Sequence, residues 1–447
     1  MSISLTKGPI LKSLFGFAIP VLLTLLLQAL YGAADLIVVG QFAKAIDVSA
    51  VATGSQLLQT VTTAVIGLAM GITIAVGRLI GQNQKEKAGQ YIGAACTLFL
   101  VLSFFLVLLL TIYSSDLAKL LHSPTSAVHA TQKYIFICGC GAIFIVAYNL
   151  LGAIFRGIGD STTPFISVLI ACIINIIADI FFVAVLKLGS SGAALATVLS
   201  QAISVITSLL IIKKKDLPFH FTKSFLQIDK HIWKILLKLG APVATQDLLV
   251  SLSFLFIQAT ANNLGIVASG GVGIAEKVCV FIMLIPSAYM QSMSAFVAQN
   301  IGAKQKNRAN LALKYGILSS LIVGFIMSIL TFTHGDTMSS IFSKNMELIK
   351  SSHDYLKSYA IDCMIISVVF CFVGYFNGLG KTFFVMLQGI IGAFFVRIPV
   401  VYFMSLLPQK SLFYIGLGTP ISSTVQLILC LLFFLLINHK ESKKIKT

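Results

Sequence analysis

Long apolar stretches recur from one end of this chain to the other. LFGFAIPVLLTLLLQALYG opens the first, TLFLVLSFFLVLLLTIY lies within the first quarter, and LILCLLFFLLI closes the last. The first two, of 19 and 17 residues, approach the roughly twenty residues that a helix needs to cross a bilayer core of about 30 Å. Backbone placed in lipid must satisfy its own hydrogen bonds, and helices do so within one segment. Apolar residues make up 57% of the chain and charged residues only 11%, against about a quarter charged in a soluble domain. The chain therefore reads as an all-α polytopic membrane protein. Cutting at Gly, Pro and charge clusters predicts about twelve spans. They begin near Lys12, Val48, Tyr91, Lys133, Pro164, Ser191, Lys234, Gly270, Asn310, Tyr355, Phe383 and Phe413. The N-terminus runs straight into the first of them, so no removable signal peptide is expected.

The net charge of +17 could suggest nucleic acid, but its placement argues otherwise. Basic residues gather in alternate connections, above all in KKKDLPFHFTKSFLQIDKHIWK, residues 213 to 234. That alternation is the positive-inside pattern, and it predicts cytoplasmic termini at both ends. The cysteines all lie in apolar segments, and Cys138 and Cys140 lack zinc-site spacing. They are expected to pack as small hydrophobes.

The basic connection falls near the middle of the chain and prompts a test for repeats. Gly81, Gln84, Lys85 and Ala88 stand 221 residues before Gly302, Gln305, Lys306 and Ala309. The same shift lays RGIGDST (156 to 162) over NGLGKTF (377 to 383), and a shift of 222 lays Pro20 on Pro242. Six spans per copy is an even number, so both copies enter the membrane from the same side, as a parallel repeat. The expected organisation is a six-helix lobe over 1–212, a cytoplasmic linker over 213–233, a second six-helix lobe over 234–438 and a basic tail over 439–447.

Four stretches then carry a resemblance: ADLIVVG in span one, RGIGDSTTP after span four, N-x-x-x-D in span five and GAALAT in span six. With them the chain resembles the multidrug and toxic compound extrusion (MATE) family of cation-coupled exporters, over nearly its whole length. GYFNGLGKT and VRIPVVYF in the second half look closer to the bacterial branch around DinF and MepA than to NorM. The resemblance implies twelve helices in two pseudo-symmetric bundles around a central cleft. It also implies export of amphipathic organic cations in exchange for H+ or Na+. A NorM-like sodium site would place an acid in span ten where this chain has Ile366.

Depth along the spans can be counted at 1.5 Å per residue. Asp35 lies roughly 34 Å along span one from Lys12, and Asp179 roughly 22 Å along span five from Pro164. Thr197 lies roughly 9 Å below the outer surface on the inward-running span six. Asn175 shares a helix face with Asp179, at i and i+4. Two carboxylates, an amide and a hydroxyl thus reach one level, and Asp35, Asn175, Asp179 and Thr197 form the candidate cation-coupling site. Each has a plainer reading alone: an interfacial carboxylate, interhelical glue or a back-bonded helix threonine. Intramembrane acids are costly and mark function by default. Pro20 permits a bend in span one, and in the family bending of this helix has been proposed to follow protonation.

The second lobe departs from its twin. Arg397 lies roughly 21 Å along span eleven, with Glu276 and Asp362 each roughly 10 Å below the outer face. An intramembrane arginine demands a partner, so a polar network of Glu276, Asp362 and Arg397 with a direct salt bridge is expected. Lys277 should snorkel outward. Gln246 and Asp247, near the middle of span seven, are candidates for lining the cleft.

Proton coupling is the favoured reading. Span five from Pro164 to Leu186 has no internal Gly or Pro to free the backbone carbonyls that sodium sites draw on. Paired carboxylates in a poorly hydrated lobe resist double ionisation. The alternatives are a sodium-coupled exporter, or a lipid or oligosaccharide-lipid flippase of the same superfamily. An enzyme is not expected, since no H-E-x-x-H or paired-acid metal motif occurs and the seven histidines fall in predicted loops or the tail. No cofactor is expected beyond the coupling ion, H+ or Na+. The expected partners are the lipid bilayer and small organic cations, with no nucleic acid and a monomeric state, in the cell (inner) membrane.

Overall fold

The computed structural model describes residues 5–219, 221–407 and 411–446. His220 lies outside them. Eleven single helices are long and apolar enough to span a bilayer. A twelfth span consists of α5 (Val128–Cys140) and α6 (Ala142–Ile158), bent by 51° at Gly141. The helices before it are α1 (Ile10–Phe42), α2 (Ala45–Gly81), α3 (Lys85–Ile112) and the short α4 (Ser114–Leu120). Span five is α7 (Thr162–Asp179) continued by a π-helical segment, Ile180–Val185, and span six is α8 (Gly189–Lys214). There follow α9 (Lys230–Asn263), α10 (Ile266–Gly302), α11 (Lys306–Ser340) and α12 (Met346–Gly378). Span eleven is built from α13 (Thr382–Ile390), a second π segment (Ile391–Arg397) and α14 (Ile398–Ser405). Span twelve is α15 (Leu412–Gly416) with α16 (Gly418–Lys446). There are no strands among the described residues.

Several helices start earlier than expected, span ten at Met346 rather than Tyr355 and span nine at Lys306 rather than Asn310. Their charged first turns continue the same helix beyond the apolar portion, so charge clusters mark the bilayer edge and not the helix end. His231 and His353 ride on such extensions, and His334 sits at a non-helical kink inside α11 (φ −122°, ψ 23°). With His129, in the first turn of α5, four histidines expected in loops lie on helices.

The helices form two compact units, one of residues 1–244 with 298–305 and one of 245–297 with 306–447. In the first, α1 packs on α7, α2 on α6, and α7 on α8. Its core is continuous from Val38 and Val39 of α1 through Ile72 and Val76 of α2 to Ile154 and Phe155 of α6. In the second, α12 is the central helix, packed on α11, α15 and α16. It buries Tyr355, Tyr359 and Tyr375.

The RGIGD stretch has a structural task. Gly159 ends α6 at φ +86°, a left-handed turn that glycine adopts without steric cost. Asp160 then caps α7, accepting from the backbone N–H groups of Thr162 (3.2 Å) and Thr163 (3.1 Å) and from the Thr163 hydroxyl (2.6 Å). Lys215, just past α8, pairs with the same carboxylate at 2.6 Å. The glycines of the other repeated motif serve close approach. A Cβ on Gly81 would strike the Gln299 carbonyl, and one on Gly302 the Arg78 carbonyl.

Candidate functional site

In the first unit the four residues at one depth come together. Asp35 (5% exposed), Asn175 and Asp179 (both fully buried) are drawn from α1 and α7. Thr197 of α8 donates its hydroxyl to Oδ2 of Asp35 at 3.1 Å, while also reaching the Ala193 carbonyl at 3.0 Å. The Asp179 carboxyl and the Asn175 amide are close neighbours of Asp35. Oδ1 of Asp35, both carboxyl oxygens of Asp179 and both polar atoms of Asn175 have no hydrogen-bond partner. Buried polar groups are nearly always satisfied. Such a cluster of orphans, rich in acceptors, has the chemistry of a place that receives a proton or another small cation. Among the described residues no three His, Cys, Asp or Glu side chains are grouped to hold a metal ion.

The surroundings of this cluster were not legible in the sequence. Tyr134 and Cys138 of α5, one turn apart, lie beside Asp35, and Tyr134 also neighbours Thr197. Below Asp35 on α1, Tyr31 accepts a hydrogen bond from Gln201 of α8 (3.2 Å), and Gln28 donates to Tyr148 of α6 (2.5 Å). Residues 28, 31 and 35 follow the i, i+3, i+7 spacing of one helix face, which is the signal that could have found them. Pro20 lies within an uninterrupted α1, and the Thr24 hydroxyl bonds its carbonyl at 2.7 Å.

Span five departs from expectation directly after Asp179. The helix changes from α to π winding over Ile180–Val185 with no Gly or Pro in it. π segments shift the hydrogen-bond ladder and often sit at functional sites. The absence of Gly and Pro therefore does not show an unbroken α-helix here, and that argument against sodium loses its basis.

In the second unit the expected salt bridge is not formed. Among the described residues the only ion pair is Lys215–Asp160. Arg397 (4% exposed) instead donates through Nη1 to the Ser253 hydroxyl at 2.8 Å and lies over the Phe254 ring at 4.3 Å. Asp362, fully buried, interacts with it only at longer range. Both Asp362 oxygens and Nε of Arg397 lack partners. Glu276 is half-buried and shares Tyr355 and Cys279 as neighbours with this group. A guanidinium stacks on an aromatic face more readily than an ammonium does, which is why Phe254 can substitute for a carboxylate. Lys277 is exposed, 6.0 Å from the Phe342 ring centre. Gln246 packs against Gly389 with its Oε1 unpartnered, and Asp247 beside it is half-buried.

A duplicated helical bundle that crosses the bilayer and buries unpartnered carboxyls in both halves, with a pair of them in the first, defines a membrane transporter. The MatE family profile matches residues 20–181 and again 242–403, and the chain belongs to that family. Its members are transporters, so the chain is not an enzyme. It is 25% identical over 437 residues to the probable multidrug resistance protein YoeA of Bacillus subtilis (strain 168), covering 95% of this chain and 93% of that one. It is 22% identical over 409 residues to the multidrug export protein MepA of Staphylococcus aureus (strain MRSA252), covering 90% and 88%. Among solved structures, the outward-facing conformation of a multidrug resistance MATE family transporter superposes with a TM-score of 0.91 at 20% identity, covering 100% of this chain and 99% of that one. A MATE structure in the bent conformation gives 0.92 at 19%, with the same coverage.

The two family matches are equal in length and stand 222 residues apart. On that offset Asp35 and Asp179 correspond to Ile257 and Val401, both wholly buried in an apolar cluster. Asn175 corresponds to Arg397. The level shared by Arg397 and Asp179 in the depth count is thus not a register match, because Arg397 stands one helical turn before the Asp179 position. Carried past the end of the matches, the offset pairs Thr197 with Thr419.

Proposed function

We propose that the protein is a proton-coupled antiporter that exports amphipathic organic cations by alternating access, with Asp35 and Asp179 as the coupling pair. The observation that carries this reading is the buried, unpartnered cluster of Asp35, Asn175 and Asp179, bonded through Thr197 to α8. Two adjacent carboxyls shielded from water resist double ionisation, so the pair holds one proton and one negative charge. A cation drawn to that charge is displaced when a second proton enters from the outside. The positive-inside pattern supports cytoplasmic termini and an inner linker over 213–233, in the cell membrane. Asp247, half-buried on span seven, is proposed to meet the cationic substrate beside Gln246.

The relatives named for multidrug resistance and export support the substrate class. One specific feature favours sodium as a second reading, the π winding after Asp179, which alters how nearby carbonyls are engaged. Proteoliposomes loaded with ethidium separate the two. With sodium absent, an inward proton gradient should drive export and a protonophore should stop it. Export that needs a sodium gradient and persists without a pH gradient overturns proton coupling.

A further inference from the structure

The start of α9 carries a feature outside the proposed coupling site. Lys230, Lys234 and Lys238 recur every fourth residue and are all exposed, forming one basic stripe. With Trp233 and Leu237 they line an open, shallow groove of about 470 Å³. The tryptophan is fixed in place, since its indole N–H donates to the Ala94 carbonyl (2.9 Å) and lies 3.2 Å from the Thr97 hydroxyl, both on α3. Half-buried against the core, its ring lines the groove beside the lysines. Asp229, the acid at the helix start, is engaged, accepting from the N–H groups of His231 (2.8 Å) and Ile232 (3.0 Å).

The groove's depth points to what fills it. α9 has 34 residues and so is about 51 Å long. The hydrocarbon core is about 30 Å thick, and about 40–45 Å with headgroups. The first nine residues of α9 carry three lysines, and the rest of the helix carries no charge but Asp247. The overhang therefore falls at its start, whose first two turns stand among the headgroups, where tryptophan is enriched and lysines lay their stems on apolar surface while their amines stay hydrated. Lys230 to Lys238 extends about 12 Å along the axis, from the outer headgroup zone to the edge of the acyl chains. A soluble acidic partner would match the charge but leave Trp233 and Leu237 half covered at the lipid boundary. We infer that this groove binds an anionic phospholipid, its phosphate held by the lysine stripe and its glycerol and upper acyl chain lying on Trp233 and Leu237.

Trp233 is the only tryptophan of the chain, so its fluorescence reports on the groove alone. The full-length protein in neutral detergent would be titrated with phosphatidylglycerol or phosphatidylcholine carrying brominated acyl chains, which quench tryptophan on contact. Phosphatidylglycerol should quench at a lower mole fraction than phosphatidylcholine. Each lysine near an anionic surface contributes about 1 kcal/mol, so changing all three to Gln should weaken the preference by about 100-fold. These side chains are exposed, and an unchanged melting temperature of the triple variant would show that it folds. Equal quenching by the two lipids in the wild type overturns the proposal, as does a preference that survives in the triple variant. Displacement of brominated phosphatidylglycerol by millimolar glycerol phosphate would show a site for free phosphate and would also overturn it. None of these outcomes depends on which ion drives transport.

Discussion

The hydroxyl of Thr197 on α8 donates to the carboxylate of Asp35 on α1 across 3.1 Å, and both groups are buried. This bond links the helix that carries Pro20 to the helix that closes the first lobe. Thr197→Val keeps the shape and removes the donor. A hydrogen bond to a charged acceptor contributes about 1.5 kcal/mol, so the variant should shift the apparent proton dependence of efflux by roughly tenfold. Unchanged dependence in proteoliposomes would assign Thr197 to packing alone.

Asp35→Asn and Asp179→Asn should each reduce gradient-driven efflux to the passive leak, with expression and melting temperature retained. The neutral amide cannot exchange a proton for a cation, yet fills the same volume. Near-normal efflux from either variant removes that carboxylate from coupling.

Removing Arg397 tests a different relationship. Arg397→Ala takes away the bond to Ser253 and the stacking on Phe254, and leaves Asp362 buried without a counter-charge. A loss of about 3 kcal/mol is expected, read as a lower melting temperature in detergent. Adding Asp362→Asn should recover part of it, because the uncompensated charge is then gone. Arg397→Ala with wild-type stability would mean that the guanidinium does not balance Asp362.

The sequence was most informative where an answer depends on one helix at a time. The depth of Asp35, Asp179 and Thr197 follows from counting residues, and the shared face of Asn175 and Asp179 from their spacing. What it withheld depends on how helices are rotated against one another. Nothing in an almost wholly apolar span says which side meets its neighbour, so Tyr134 and Cys138 beside Asp35 could not be foreseen. For the same reason Arg397 was assigned to the acids at its depth and not to Ser253 and Phe254. The π winding after Asp179 has no residue signature, since Ile-Phe-Phe-Val-Ala-Val suits an α-helix equally well.

Asp160 offers a test away from the proposed coupling pair. Its carboxylate, wholly buried, receives the Lys215 ammonium, the Thr163 hydroxyl and two backbone N–H groups at the start of α7. Lys215→Ala removes one of these, and the side chain is 26% exposed, so solvent screens the loss to about 1 kcal/mol. Asp160→Ala removes all of them and leaves the Thr163 hydroxyl without an acceptor, with only the Lys215 ammonium at 3.3 Å, for about 3 kcal/mol in total. The melting temperature of Asp160→Ala should therefore fall well below that of Lys215→Ala, and the double variant should fall only slightly below Asp160→Ala, since Lys215 keeps there no more than a 3.3 Å contact with the Thr163 hydroxyl. Equal losses from the two single variants would mean that the ion pair, and not the capping of α7, is what Asp160 supplies.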